Sequence, residues 1–477
     1  MTKDTGWDHA LKVTGSGEGL VGHAGAVLLR KLADRAGLTG ALGPALGRPG
    51  RFPLVDRGIA LVSMAVAIAL GATSMNDIAL LAHLEPVLGA APSDTTVRRT
   101  LDLADERTLG KIAKARAAVR AHVWSLIAAT PAGFPWLTIA GKLLAGWLVI
   151  DLDGTLITAR SDKEGAAPTF KKGYGFHPLG AWLASTLESL AMLLRPGNAG
   201  SNTFADHAMV LSAAIGQIPA RMRGRLLVRV DGAGASHELI SHLLSLTTAR
   251  RTVLFTCGWA ITGSDEQAIA KLPAAAWQAG LNQDGTAQND KHVAEITHLT
   301  SRAAGWPAGL RWIVRRARPS RRQAKNLTAF EKATGWRYSI IVTSIPGTGI
   351  TGVPGTHHPQ FIDVLHREHA VVEDGVRAGK GMGLRNLPSK TWQVNCGWVL
   401  AANIAADLSA WCRLLGLHDQ EDLNDAEPDT LRYRIWHLPA RLARHARQRV
   451  LKISRTWPWN EAFLTCWQRL CALPAPA

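Results

Sequence analysis

Two short apolar runs that each end in aspartate constrain this chain more than any other feature. One, within Trp147–Ile157, reads Leu148-Val149-Ile150-Asp151-Leu152-Asp153, and the other reads Leu226-Leu227-Val228-Arg229-Val230-Asp231. Aliphatic, β-branched runs this short are buried strands, and neither holds Gly or Pro before its aspartate. Alternation puts Asp151 and Asp153 on one side of the first strand. Two carboxylates on one face of a buried strand are costly unless a cation answers them. Beyond the second strand, Gly232 and Gly234 leave the approach to Asp231 open.

The pattern around these runs gives an architecture. Residues 1–140 are expected to be a helical N-terminal DNA-binding region, with His23–Leu38 and the apolar Gly58–Ala72 as helices. At about 15 residues the latter is short for a membrane span and reads as a buried core helix. Ser93 has the chemistry of an N-cap, and the helix after it carries Arg98 and Arg99, compatible with a helix-turn-helix reader or a plain bundle. From 141 to 256 three strands (Trp147–Ile157, Gly175–Ala184, Leu187–Leu194), a helix (Phe204–Ile218), a strand, a helix (Ser236–Leu246) and a strand (Thr252–Thr256) follow in the order of a ribonuclease-H-like core. Residues 257–346 hold the alternating runs His292–Leu299, Leu310–Arg316 and Trp336–Ser344, so a β-rich insertion splits that core. Helical periodicity resumes from Gln360 to Trp411, giving a second core part at 347–415. Residues 416–477 read as a basic helical C-terminal region. The fold class is therefore α/β.

With 477 residues, two to four domains are expected. Net charge is +17, from 54 basic and 37 acidic residues, which favours a polyanionic partner, most simply nucleic acid. The charge is clustered. Arg311, Arg315, Arg316, Arg318, Arg321, Arg322 and Lys325 follow one another without an acid. Thr430 to Asn460 also lacks acids and carries Arg441, Arg444 and Arg447 among eight cations, with Trp436, Trp457 and Trp459 between them. Cations interleaved with planar rings suit a phosphate backbone and its bases. Trp312 and Trp336 are candidates to stack on an unpaired base. Five cysteines with no Cys-x-x-Cys spacing argue against a disulfide framework or structural zinc site. With no leader visible in the polar first 20 residues, a cytoplasmic, nucleoid-associated location without membrane contact is expected.

A third acid, Glu373, lies in a helical pattern. His366, His369, Arg377 and Lys380 stand at minus seven, minus four, plus four and plus seven, and on a continuous helix they share its face. One carboxylate flanked by donors can hold metal while the donors hold phosphates. Two strand-end acids and a helix acid can hold a pair of divalent cations, the apparatus for cutting and joining phosphodiesters.

On these segments the chain resembles bacterial insertion-sequence transposases of the Asp-Asp-Glu class, most closely the insertion-sequence 1380 family. The segments are residues 149–182, 194–207, 226–236 and 365–411. The resemblance implies Asp153, Asp231 and Glu373 as the catalytic, metal-binding triad and two Mg²⁺ or Mn²⁺ ions as cofactors. It implies double-stranded DNA, both element ends and target, as partner, a homodimer in the DNA complex, and cut-and-paste strand cleavage and transfer. Related transposases carry a Tyr-Arg-Glu-Lys signature around the Glu. This chain keeps Glu373 and Lys380 but has His366 and His369 at the Tyr and Arg positions, and Arg367 is a candidate for the missing guanidinium. Expected DNA contacts are thus His366, Arg367, His369, Arg377, Lys380, Arg315, Arg316, Arg441, Arg444 and Arg447. Two alternatives stand beside this reading. One is a catalytically inactive DNA-binding protein derived from a transposase. The other is a haloacid-dehalogenase-like phosphatase, since Asp151-Leu152-Asp153-Gly154-Thr155 matches its first motif with Asp151 as nucleophile. The chain has no Gly-Asp or Asp-Asp dipeptide to supply that enzyme's later acidic pair.

Overall fold

The computed structural model describes residues 12–476, except Pro49, Arg51, Phe52, Ala233 and Ala446. Helices open the chain: α1 (Ala26–Arg35), α2 (Leu38–Leu46), α3 (Arg57–Ala69), α4 (Asp94–Leu101) and α5 (Glu106–Ala128). The Ser93 hydroxyl accepts the Thr96 N–H at 3.2 Å and so starts α4. Arg98 and Arg99 of α4 are exposed, while Val97 and Leu101 are buried.

The strands that follow are β1 (Leu148–Gly154), β2 (Leu179–Leu183) and β3 (Ser189–Leu193), then β4 (Arg225–Val230) and β5 (Thr252–Trp259). Between them lie α6 (Phe204–Gln217) and α7 (His237–Ser245). Four more strands, β6 (Gln278–Leu281), β7 (Ala287–Glu295), β8 (Arg311–Ala317) and β9 (Arg337–Thr343), come next. All nine form one sheet in the order β6-β7-β8-β9-β5-β4-β1-β2-β3. β4 runs parallel to both β1 and β5, and the remaining pairings are antiparallel. The expected insertion therefore does not stand apart. Its last strand, β9, pairs with the edge of β5, and the sheet grows by four strands.

Alternation along β1 and β4 sorts their side chains between two cores. Leu148, Ile150, Leu152, Leu226, Val228 and Val230 join one cluster, which also takes in residues from Val21 to Leu470. Val149 and Leu227 join a second cluster with Phe361, Ile362, Val364 and Leu365 of α8 (Pro359–Arg367). Asp151 and Arg229, one residue pair further on, project to the α8 side as well.

The chain after α8 departs from the expected continuous helix. A 3-10 turn (Glu368–Val371) leads into α9 (Val372–Gly379), and a π turn (Lys380–Leu384) ends with Gly383 at φ +90°. Gly375, Gly379, Gly381 and Gly383 weaken helix propensity here. Regular helix returns only in α10 (Trp392–Gly416). By length and composition α10 could cross a membrane, yet 78% of its apolar window is buried inside the protein. Around it pack α1, α3, α4, α5, β3 and the final helix, so N-terminal and C-terminal helices share one core.

The basic C-terminal stretch is not helical as expected. It forms a hairpin of β10 (Ala440–His445) and β11 (Gln448–Ile453), to which Leu20–Val21 adds a strand, before α11 (Asn460–Ala472). Ala440-Arg441-Leu442-Ala443-Arg444 alternates with period two, and Arg447 takes φ +67° at the turn.

A buried ionic network joins the helices to the sheet. Arg120 on α5 donates to Glu188 at 2.9 Å and to Asp407 of α10 at 2.7 Å, and Arg116 donates to Asp407 at 2.7 Å. Trp124, Trp411 and Thr186 donate to the Glu188 carboxylate at 2.9, 2.7 and 2.7 Å. Removing one partner of a buried pair costs about 3–5 kcal/mol, because the other charge is left uncompensated. For a chain this long that corresponds to about 1 °C per kcal/mol. Arg120→Met should therefore lower the calorimetric unfolding midpoint by about 3–5 °C. An unchanged midpoint would show that the network carries no net structural weight.

Candidate active site

The site begins with a pair of charges inside the sheet. Register sets Asp151 of β1 opposite Arg229 of β4. The guanidinium donates to both carboxylate oxygens, at 2.6 and 2.7 Å, and both side chains are 1% exposed. Arg229 also donates to the Leu365 carbonyl at the end of α8, at 3.0 Å. His369 Nδ1 lies 2.9 Å from Asp151 Oδ1. Burial alone would raise the Asp151 pKa, but Arg229 and His369 outweigh it and hold the carboxyl below its usual range. With both oxygens bonded and buried, Asp151 cannot act as the nucleophile that a phosphatase reading requires. An Arg in the middle of an apolar strand was the sequence signal for this pair.

Two residues beyond each member of the pair stand the strand-end acids. Asp153 is on β1 and Asp231 directly follows β4, on the same face as Asp151 and Arg229 by alternation. Asp231 Oδ1 accepts the Gly234 N–H at 3.0 Å, which shapes the turn after the strand. Glu373 is exposed on α9, a helix packed against β1 and β2. Gly375 permits that packing, since a Cβ there would lie 3.2 Å from the Trp182 ring of β2. A cavity of about 380 Å³ lies beside the same helix, lined by Trp182, Gly375, Met382 and Asn403 and by none of the three acids.

Asp153 feels both other acids. Burial raises its pKa, and the charges of Asp231 and Glu373 add to this while His369 opposes it, leaving the carboxyl at about 6. Such unrelieved repulsion fits a divalent cation. Among the described residues, however, no three Asp, Glu, His or Cys side chains already stand close enough to hold one.

The predicted DNA contacts divide. Lys380 is half-buried and lies near Asp153 and Lys171; burial lowers its pKa, Lys171 lowers it further, and Asp153 opposes this. Arg377 is exposed but bonded to Glu427 at 2.6 Å and Asp374 at 2.9 Å. His366 turns inward, with Nδ1 3.2 Å from the Thr256 hydroxyl and Nε2 against Gly258. Burial pushes its pKa down to about 3. His369 is buried against Asp151. Arg367 pairs with Asp363 at 2.9 Å and donates to the Leu281 carbonyl at 2.6 Å, so it does not take a guanidinium to the Glu373 side. The one-face stripe fails because it assumes a continuous helix across the 3-10 turn.

In the extended sheet, Arg315 faces Asp363 at 3.3 Å, and Arg316 is held between Trp277 and Trp336, 4.1 and 4.7 Å from their ring centres. Trp312 is a core residue at 1% exposure, and Trp336 carries Arg318 at 3.9 Å. Arg318, Arg321, Arg322 and Lys325 are the exposed cations of this stretch. On the C-terminal hairpin Arg441, Arg444 and Arg447 are all exposed. There Arg441 stands opposite Lys452, and Arg444 opposite Arg449. Like charges directly opposed across a hairpin repel, so this surface carries unrelieved positive charge.

Two histidines escaped the sequence reading. His177 Nε2 faces Gly154, and His207 Nε2 faces Gly234; a Cβ on either glycine would fall within 2.8 Å of the ring. Burial lowers the pKa of both, against the charge of Asp231. They edge the acids as neutral imidazoles. Both sit within the segments that carry the family resemblance, which was their only signal.

The family described as "Transposase DDE domain group 1" matches residues 4–475. The chain belongs to that family and is a transposase. Among solved structures it is similar to the piggyBac transposase synaptic complex with hairpin DNA, studied by cryo-electron microscopy. Identity is 11% and the TM-score 0.37, over 86% of this chain and 79% of that one. No curated protein sequence matches it.

The raised Asp153 gives a stability test. Its folded pKa of about 6 lies above the ordinary carboxyl value of 3.8. The protonated form therefore stabilises the fold below pH 4, and that stability is lost as pH rises through 6. The loss is about 2 pKa units, or roughly 3 kcal/mol, about 3 °C for a chain this long. In chelator at pH 8, Asp153→Asn should unfold about 3 °C higher than the parent, and at pH 4 at the same temperature. Equal midpoints at pH 8 would mean that the carboxylate is not strained.

Proposed function

We propose that this transposase binds the terminal inverted repeats of its element and carries out metal-dependent strand cleavage and strand transfer, as members of the insertion-sequence 1380 family do. The observation that carries this reading is the common register of Asp153 and Asp231, set by Asp151–Arg229, beside the helix of Glu373. The strand order β3-β2-β1-β4-β5 with its mixed directions supports a ribonuclease-H-like core, and β6–β9 are the insertion. Asp153, Asp231 and Glu373 would hold two Mg²⁺ or Mn²⁺ ions. Such ions activate an attacking oxygen and stabilise the leaving one. Lys380, near Asp153, and Lys171 beside it counter the phosphate charge at the reacting bond. Neutral His177 and His207 leave the acids uncompensated until a cation arrives. The exposed arginines of the hairpin hold flanking DNA by its backbone. Two copies acting on two element ends, in a cytoplasmic and nucleoid-bound protein, complete the proposal.

With Mn²⁺ and DNA carrying the element's own ends, the parent should nick at the element boundary. Asp153→Asn, Asp231→Asn and Glu373→Gln should each cut at least 10²-fold more slowly while gel-shift affinity stays within a few-fold, as for loss of groups that act on developing charge. Parent protein that binds the ends but never cuts them would favour the inactive DNA-binding alternative.

Replacing Arg441, Arg444 and Arg447 together with Ala should weaken binding to any duplex. The slope of log K against log salt should become shallower by up to about 2–3 units, at about 0.9 per phosphate contact. Preference for element ends over random DNA should hardly change. An unchanged slope would move the DNA path to Arg321, Arg322 and Lys325.

A further inference from the structure

A tight turn beside the acids holds out an aromatic ring that the fold leaves uncovered. Ile157–Thr158, Ala167–Pro168 and Tyr174–Phe176 form a small three-stranded sheet of their own. Thr169–Gly173 closes its hairpin. The Lys172 N–H donates to the Thr169 carbonyl at 3.0 Å, the Thr169 N–H to the Gly173 carbonyl at 2.8 Å, and the Gly173 N–H to the Thr169 hydroxyl at 3.1 Å. Phe170 and Lys171 are the two central residues of the turn, and Lys172 completes it at φ +60°. The chain entering the hairpin is fixed to the start of α10. There the Glu164 carboxylate accepts the Trp392 N–H at 2.7 Å, and the Glu164 N–H donates to the Lys390 carbonyl at 2.9 Å.

Phe170 is 66% exposed, whereas Phe176 and Trp182 are buried. Its ring centre lies 5.3 Å from that of His177. His177 Nε2 in turn faces Gly154, where a Cβ would meet it at 2.8 Å. One imidazole therefore links the Phe170 ring to the residue next to Asp153. Lys171 Nζ stands 5.6 Å from the centre of the Phe170 ring, and Lys171 and Lys172 are both exposed. No acid lies between Glu164 and Glu188. A second copy of this chain offering the same tip would set lysine against lysine. A polyanion with planar faces answers both the charge and the ring. Neither tryptophan expected to stack is free to do so, since Trp312 lies in the core and Trp336 is covered by Arg316 and Arg318.

We propose that Phe170 is a platform on which an unpaired nucleobase stacks beside the reacting phosphate, while Lys171 and Lys172 hold the phosphates on either side of that base. This rests on the reading of Asp153 as part of the centre that cuts DNA. Stacking on a ring is tolerant of sequence, because every base has a flat face. The turn thus holds a strand opened at the element boundary without reading which base it holds.

The test uses the full-length protein in chelator and element-end duplexes with one nucleotide at the boundary left unpaired, fully paired, or abasic. Phe170→Ala should weaken binding to the unpaired probe by about 5- to 100-fold, the span of one base stacked on one ring. It should change affinity for the paired probe less, and Phe170→Trp should restore the parent's binding. On the abasic probe parent and Phe170→Ala should bind alike, because the partner of the ring is gone. Iodouracil at the unpaired position, irradiated in the complex, should crosslink to Phe170 when the peptides are mapped by mass spectrometry. No loss on the unpaired probe, equal loss on the abasic one, or a crosslink to another residue or to none overturns the stacking role. A complex that sediments with fewer protein copies in Phe170→Ala than in the parent overturns it as well, in favour of a contact between copies. Parent protein that crosslinks through Phe170 yet never nicks in Mn²⁺ overturns the cleavage reading and leaves the platform standing.

Discussion

The ion pair Asp151–Arg229 is the interaction on which the site depends. It lies at the centre of a nine-stranded sheet, between two parallel strands, where a lone charge would be expensive. It sets the register that brings Asp153 and Asp231 to neighbouring strand ends. Through the Leu365 carbonyl it holds the end of α8, and through His369 the turn before α9. All three acids are thus referred to one buried salt bridge. A pair so placed is weak evidence for stability, since apolar residues can match it. Its value here is positional.

A second buried network gives the sheet its helical surroundings. Arg116 and Arg120 reach from α5 to Glu188 and Asp407, tying the N-terminal helices to β3 and α10. The N-terminal and C-terminal segments consequently share a core instead of swinging as independent modules. The added strands β6–β9 serve the same end. They cover the open edge of β5 and give α8 a broad sheet to lie on, which steadies the segment leading to Glu373.

Much of this was legible from residue pattern. The runs ending in Asp153 and Asp231 declare buried strands, and the Ser93 cap and the helices around residues 58–72 and 204–218 are where periodicity puts them. Pattern fails where a local rule meets a tertiary demand. The spacing of His366, His369 and Glu373 assumes unbroken helix, but glycines and inward hydrogen bonds turn the histidines to the sheet. The basic C-terminal region read as helical throughout, whereas Ala440–Arg444 alternates as a strand. Trp312, in a strand of the β-rich insertion, was a candidate to stack on an unpaired base, yet it faces the core. Arg229 was the most informative residue left unread, since an arginine inside an apolar strand needs a buried acid. His177 and His207 could not be placed, because only folding brings them to the acids.

The central claim is that Asp153, Asp231 and Glu373 are three walls of one cation site. The most direct measurement is anomalous X-ray scattering from crystals of the protein with element-end DNA, grown in Mn²⁺. The account predicts anomalous peaks within about 2.5 Å of Asp153 and of at least one of Asp231 and Glu373, with α9 drawn toward β1. Mn²⁺ peaks elsewhere on the protein, with the three carboxylates still apart, would contradict it.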